Sequence, residues 1–153
     1  MSLLGVGESA DAYHMSSPHP EGLGARLAME RALAAAGLGP VDIDYVHLHG
    51  TATPIGDAVE DRAVSDIFGP GMRCSSSKGY TGHTLGASGI VQAIFSTISI
   101  LNGMLPGSTH TRNVDPAFAS RYQVERCRMR VDRVLSNSFG FGGANCSLVL
   151  GRT

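Results

Sequence analysis

The chain has no tryptophan, a single lysine (Lys78) against eleven arginines, and only 6% aromatic residues. Its 13 acidic and 12 basic side chains leave a net charge of −1, so it lacks the cationic excess that meets nucleic-acid phosphates or an anionic membrane surface. Neither partner is expected. The three cysteines, Cys74, Cys127 and Cys146, match neither a disulfide framework nor a CxxC metal knuckle, which points to a reducing, cytoplasmic compartment. Residues 1–14 have no basic stretch followed by an apolar core, and no run reaches the roughly 18 apolar residues of a membrane span.

What is present suits one packed domain: 153 residues, 42% of them hydrophobic, with 20 glycines scattered among periodic apolar runs. That composition argues against disorder. Residues 1–20 open with a short Gly-rich apolar run and pass into a Ser/Pro/His loop, and are set apart as a remnant of a preceding segment and linker. Residues 21–153 are expected to form the main domain.

The segment from Pro20 to Gly37 predicts a helix, with a favourable first-turn proline and a C-terminal glycine. Val41 to His49 alternates and then turns apolar, as a strand entering a sheet does, with His47 and His49 on one face. After GTATPIG, Asp57 and Glu60 have the spacing of a capping box, and the helix they open is expected to stop at Gly69. A short strand around Met72–Ser77 leads to the loop KGYTGHTLGASG. IVQAIFSTISIL is apolar almost all round and predicts a buried helix. Leu105–Arg130 is irregular, with Arg121, Arg126, Arg128 and Arg130 read as a solvated face. RVLSNSFGFGGANCSLVLG predicts two antiparallel strands around a Gly-rich bend. Strands alternating with helices make this an α/β fold.

Polar residues concentrate in three loops at strand ends, where α/β folds build sites: His49–Pro54, Lys78–His83 and Asn137–Gly143. Two histidines beside a fixed ammonium stay neutral, and neutral imidazoles can donate N–H bonds to a developing oxyanion. The bend at Gly140–Gly143 can turn main-chain N–H groups toward the same charge. Such a site suits thioester or acyl chemistry. A metal at His47/His49 lacks acidic or Cys partners at ligand spacing. Gly86-Ala87-Ser88-Gly89 fails the nucleophile elbow, and Gly140–Asn145 fails the dinucleotide fingerprint. His14, His19 and His110 sit in polar loops. Cys74 and Cys146 read as small buried hydrophobes rather than nucleophiles.

HGTATPIGD (49–57), SSSKGYTGHTLGASG (75–89), SNSFGFGGAN (136–145) and DAYHMSSP (11–18) together resemble the C-terminal half of type II β-ketoacyl-acyl-carrier-protein synthases. The resemblance implies a thiolase-like α-β-α half with a mixed, mainly parallel sheet between helices. It also implies decarboxylative Claisen condensation of malonyl-carrier protein with an acyl group held on a cysteine. By resemblance His49 and His83 bind the malonyl thioester carbonyl, Lys78 orders the site, and Phe141 lends its N–H to an oxyanion hole. Phe139 gates the acyl pocket, and Thr51 and Thr53 contact the phosphopantetheine arm of acyl carrier protein. No bound cofactor or metal is implied.

The resemblance also carries departures. None of the three cysteines occupies the family's nucleophile motif, which lies in the N-terminal half. The chain alone is therefore expected to be inactive, to need that missing half, and to come from a parent that is a homodimer. Where the elongating enzymes have Glu nine positions after the second histidine, this chain has Gln92. Half of a thiolase-like fold leaves an apolar face uncovered. The alternatives are a noncatalytic chain-length-factor-type subunit, against which His49, Lys78 and His83 all argue, and a carrier-protein-binding half-fold.

Overall fold

The structure, a computed structural model, describes residues 1–152. Its centre is a six-stranded sheet whose inner strands are β2 (Tyr45–His47), β3 (Arg73–Ser75), β7 (Arg133–Phe139) and β8 (Ala144–Gly151), edged by β1 (Ser2–Ala10) and β5 (Arg121–Tyr122). The order is β1-β8-β7-β2-β3-β5. The β2–β3, β2–β7 and β3–β5 pairs are parallel, and the β1–β8 and β7–β8 pairs antiparallel. A separate antiparallel pair joins β4 (Met104–Leu105) to β6 (Cys127–Arg128). The expected hairpin around the Gly-rich bend is β7–β8, in register from Arg133↔Gly151 to Phe139↔Asn145.

Strand alternation sends neighbouring side chains to opposite layers. Val46, Leu135 and Val149 pack with Ala25, Met29 and Leu33 of α1 (Leu23–Ala36) and with Ala63 and Val64 of α2 (Pro54–Phe68). Tyr45, Val134 and Leu150 face the other way, onto Ile100 of α4 (Ser88–Asn102). The result is the α-β-α layering expected of the chain.

Five elements, α4 among them, differ from the sequence reading. Residues 2–10, set apart there with residues 1–20, form a full edge strand on which α1 lies. The helix comes so close that a Cβ on Gly7 would lie 2.0 Å from Ala28 O, and one on Gly5 2.2 Å from Ala32 O. The strand beginning at Val41 starts only at Tyr45, because Pro40–Asp42 forms a 3-10 turn whose Asp42 carboxylate accepts the Gly39 N–H at 2.9 Å. Helix α2 begins one turn before Asp57, with Pro54 at its first position and Thr53 as N-cap. Asp57 accepts the Ala52 N–H instead, at 3.2 Å. The loop after Lys78 contains a single helical turn, α3 (Lys78–Thr81), and a 3-10 turn at Leu85–Ala87.

Helix α4 was expected to be buried all round and is not. Its inward stripe is Ser88, Gln92, Ser96, Ser99 and Ile100. Ile90 (62% exposed), Ile94 (51%), Ile98 (42%) and Leu101 (62%) face outward. Ser96 and Ser99 bond carbonyls one turn back, so their hydroxyls need no other partner and the helix can sit close to the sheet. Leu85–Asn102 is the one helical stretch among the described residues that is long and apolar enough to cross a membrane by length and composition alone; here one face of it packs on β7 and β8. Cys74 is fully buried, whereas Cys146 is only half-buried. Arg121, Arg126, Arg128 and Arg130 are exposed.

Candidate active site

The three loops singled out from sequence meet at the end of the parallel strands. Their rims and the 11–18 segment enclose a cavity of about 590 Å³ lined by His49, Thr51, Thr53, His83, Phe139 and Phe141, among others. A second cavity of about 500 Å³ shares His49, His83 and Phe139 and extends past Glu8, Ser138 and Cys146. Phe139 thus stands at the boundary of two compartments, its ring 5.6 Å from that of His49.

His49 lies just beyond β2, where the strand has ended, and its ring meets that of His83 edge-on at 5.4 Å. Lys78 reaches it from the first position of α3. The Lys78 Nζ donates to His49 O and lies 3.4 Å from His49 Nδ1 and 3.1 Å from Gln92 Oε1. An ammonium only donates, so Nδ1 of His49 is an acceptor and the ring proton sits on Nε2. His83 has the same arrangement from another source: its Nδ1 accepts the Leu85 N–H at 3.2 Å, which leaves the proton on Nε2. Burial, then the neighbouring Lys78 and His83, push His49 down to about 3. Burial and Lys78 also lower His83. Both rings are neutral Nε2–H donors at neutral pH. Burial lowers Lys78 to about 8 against the opposing pull of the Glu60 and Asp57 carboxylates.

Two residues hold the site in shape: Glu60, which the sequence reading left outside it, and Asn137, which that reading placed at the start of the third loop without giving its side chain a role. Glu60, read there as a capping residue, is buried and accepts three N–H groups: His49 N at 2.8 Å, Gly50 N at 2.9 Å and Asn137 Nδ2 at 3.1 Å. Burial raises its carboxyl to about 6 despite these donors. Asn137 in turn accepts Ser147 Oγ at 2.8 Å. The signal for Glu60 was available, since it falls on the apolar stripe Val59, Ala63, Val64 where a solvated glutamate does not belong. His47 does not share the site with His49. It is fully buried on the α4 side, accepting the Ser77 N–H at 3.2 Å and lying 3.3 Å from Ser96 Oγ.

In the Gly-rich bend the Gly140 N–H is committed to Ala144 O and that of Gly142 to Met15 O. Among the described residues the Phe141 N–H between them donates to no main-chain carbonyl, and Phe141 is 80% exposed at the cavity rim. Asp11 ties the 11–18 segment to this bend: its N–H donates to Gly143 O, and its carboxylate accepts Asn145 Nδ2 at 2.9 Å. Thr51 and Thr53 lie at the mouth, their hydroxyls 3.0 Å apart. Among the described residues no cluster of three or more His, Cys, Asp or Glu could hold a metal ion.

The sequence model of the Beta-ketoacyl synthase, C-terminal domain, matches residues 1–112. The chain belongs to this family. It is 48% identical to the mitochondrial 3-oxoacyl-[acyl-carrier-protein] synthase of Arabidopsis thaliana, over 96% of this chain and 33% of that protein. With 3-oxoacyl-[acyl-carrier-protein] synthase 2 of Coxiella burnetii it shares 40% identity, over 98% of this chain and 37% of that protein. Among solved structures it resembles the ketosynthase ApeO in complex with its chain length factor ApeC from Xenorhabdus doucetiae (TM-score 0.93, 45% identity, 99% of this chain and 39% of that one). It also resembles a beta-ketoacyl synthase from Burkholderia phymatum STM815 (TM-score 0.89, 35% identity, 99% of this chain and 37% of that one). The domain therefore has the thiolase-like α/β arrangement of ketosynthases and spans roughly a third of the length of the curated relatives it matches.

Proposed function

We propose that this domain supplies the histidine–lysine part of a decarboxylative condensing site, acting on malonyl and acyl thioesters presented by acyl carrier protein. The observation that carries the reading is the pair of neutral imidazoles, His49 and His83, whose Nδ1 atoms are both occupied as acceptors and whose Nε2–H groups are free to donate. Decarboxylation breaks the bond between the malonyl methylene and its carboxylate. Carbon dioxide leaves, and the electron pair moves onto the thioester oxygen as an enolate. Two fixed, neutral donors favour that charge without protonating the oxygen in the ground state. The enolate carbon then attacks an acyl thioester: a carbon–carbon bond forms, the carbon–sulfur bond breaks, and the thiolate leaves. In this reading the Phe141 N–H takes the oxyanion of the second step, Thr51 and Thr53 meet the phosphopantetheine arm at the cavity mouth, and Phe139 separates that arm from the acyl chain.

The acyl-bearing thiol comes from elsewhere in the parent protein. Cys74 is buried, and its thiol is pushed up by burial and by Glu60 and Asp61. Cys146 lines the second cavity, yet burial and Glu8 raise its thiol too, the reverse of what a nucleophile needs. The domain alone is accordingly inactive for condensation, with a complementary part and carrier protein as its partners. A noncatalytic subunit is the weaker reading, because His49, Lys78 and His83 retain a working geometry.

The test is a chimaera in which this chain replaces the matching third of the Coxiella burnetii relative. Formation of 3-oxoacyl product from acyl- and malonyl-carrier protein is the expected result. A folded chimaera that forms none, beside an active parent, sinks the proposal.

A further inference from the structure

The sequence comparison with the elongating enzymes leaves one residue unexplained, Gln92, and the structure gives it a place. It is fully buried on the inner stripe of α4, and every polar atom of its amide is used. Its Nε2 donates to Leu48 O at 2.9 Å and to Asn137 O at 2.7 Å. These carbonyls belong to the residue just before His49 and to β7. Its Oε1 accepts from Lys78 Nζ at 3.1 Å and from Ser88 Oγ at 3.2 Å. The two carbonyls fix the orientation, since a flipped amide would set its oxygen against both of them and its N–H groups against an ammonium.

The ammonium so held has no carboxylate within ion-pair distance among the described residues. The charged and titratable groups that face it are His49 at the end of β2, His47 within β2, His83 beyond α3, and Glu60 and Asp57 on α2. The imidazoles are neutral, and the Glu60 oxygens are occupied by three N–H donors. The groups in direct contact with the Lys78 Nζ are thus all uncharged.

We propose that Gln92 is a positioning residue that holds Lys78 through a neutral acceptor, leaving the ammonium without a contact counter-ion so that its remaining donors stay directed at His49 O and His49 Nδ1. Gln92 touches no substrate. It acts by keeping the proton of His49 on Nε2, where the proposed enolate needs a donor. A glutamate in this seat would have a negative partner for Lys78, but it would press carboxylate oxygens against Leu48 O and Asn137 O.

The inference rests on the proposed function only in taking His49 as the group that meets substrate, and its test needs no turnover. Because Lys78 is the chain's only lysine, ¹³C,¹⁵N-lysine labelling of the full chain gives one side-chain NMR signal whose pH midpoint belongs to Lys78. Gln92→Met, which keeps the length and removes the acceptor, is expected to lower that midpoint by about one pH unit, the loss of one charge-assisted hydrogen bond. Gln92→Glu, a carboxylate beside an ammonium, is expected to raise it by about one to three units. Opposite shifts are something a merely structural role would not produce, and if one variant fails to fold the other still reports its own direction. Midpoints in both variants within about 0.3 units of the parent, or moving the same way, overturn the proposal.

Discussion

Replacing Glu60 by Gln tests the reasoning about the site's support more sharply than any change at the histidines. The buried carboxylate accepts His49 N, Gly50 N and Asn137 Nδ2 at 2.8–3.1 Å. An amide keeps one acceptor oxygen and turns the other position into a donor, so at least one buried N–H loses its partner and faces another N–H. An unpaired buried donor costs about 1–3 kcal/mol, and a charge-assisted bond contributes about 1.5–3 kcal/mol. Together these predict a loss near 3 kcal/mol at pH 7.5, where Glu60 is ionised. For a domain of this size that corresponds to a fall of about 6–12 °C in Tm. Urea denaturation followed by circular dichroism measures it, with the exposed Glu21→Gln as a control expected to stay within about 0.5 kcal/mol. Because burial raises Glu60 from 4.5 to about 6, the fold holds that proton more tightly than the unfolded chain does, so the advantage of wild type over Glu60→Gln, which has no such proton, is expected to grow by about 1 kcal/mol between pH 7.5 and pH 5. A loss below about 1 kcal/mol at pH 7.5, or one that stays flat or shrinks at pH 5, refutes this account of how His49 is held.

Three further predictions concern the rest of the domain. His47 and His49 fall from 6.5 to about 3 in the fold, so between those values the unfolded chain binds more protons and acid destabilises. Glu60, raised from 4.5 to about 6, acts in the opposite sense between 4.5 and 6. The net expectation is a domain less stable by about 2 kcal/mol at pH 5 than at pH 6.5, read from urea midpoints at each pH; a stability that is flat or rises on acidification contradicts the histidine assignments. Gly7→Ala places a Cβ 2.0 Å from Ala28 O, in backbone that cannot swing aside, and is expected to cost more than about 2 kcal/mol in the same assay; a neutral effect would show that α1 does not sit on β1 as described. The outward Ile90, Ile94, Ile98 and Leu101 make a continuous apolar stripe, so the chain should bind a hydrophobic dye or self-associate, and Ile94→Glu with Ile98→Glu should reduce either signal without loss of stability.

Sequence periodicity carried α1 and the β7–β8 hairpin because each has an unbroken apolar pattern with glycine at its end. It failed at β1, where the face that meets α1 is built from Gly5 and Gly7 and the larger Leu3 and Val6 point outward. Alternation read from hydrophobicity sees nothing there. It failed in the opposite sense on α4, whose buried stripe is mostly serine and glutamine with Ile100, while Ile90, Ile94, Ile98 and Leu101 are exposed; a pattern says which side is apolar, not which side is covered. At α2, proline outweighed the capping pair, since Pro54 can occupy only the first turn. The site loops were legible because His49, Lys78, His83 and the Gly140–Gly143 bend are local motifs. The bonds that Glu60 makes to His49, Gly50 and Asn137, and those of Gln92 to Leu48 O and Asn137 O, were not, because they join residues 10 to 77 positions apart; only the place of Glu60 on an apolar stripe pointed to its burial.

In the proposed reaction two neutral imidazoles of this domain, His49 and His83, stabilise the charge formed when a malonyl thioester loses carbon dioxide. Carbon dioxide release from malonyl-carrier protein, compared between the chimaera and its His83→Ala variant, tests this step without requiring condensation. Loss of one preorganised donor predicts a rate lower by about 10²–10³-fold, with the domain's fold unchanged because His83 is exposed. Release at an undiminished rate in His83→Ala would show that this imidazole does not stabilise the enolate.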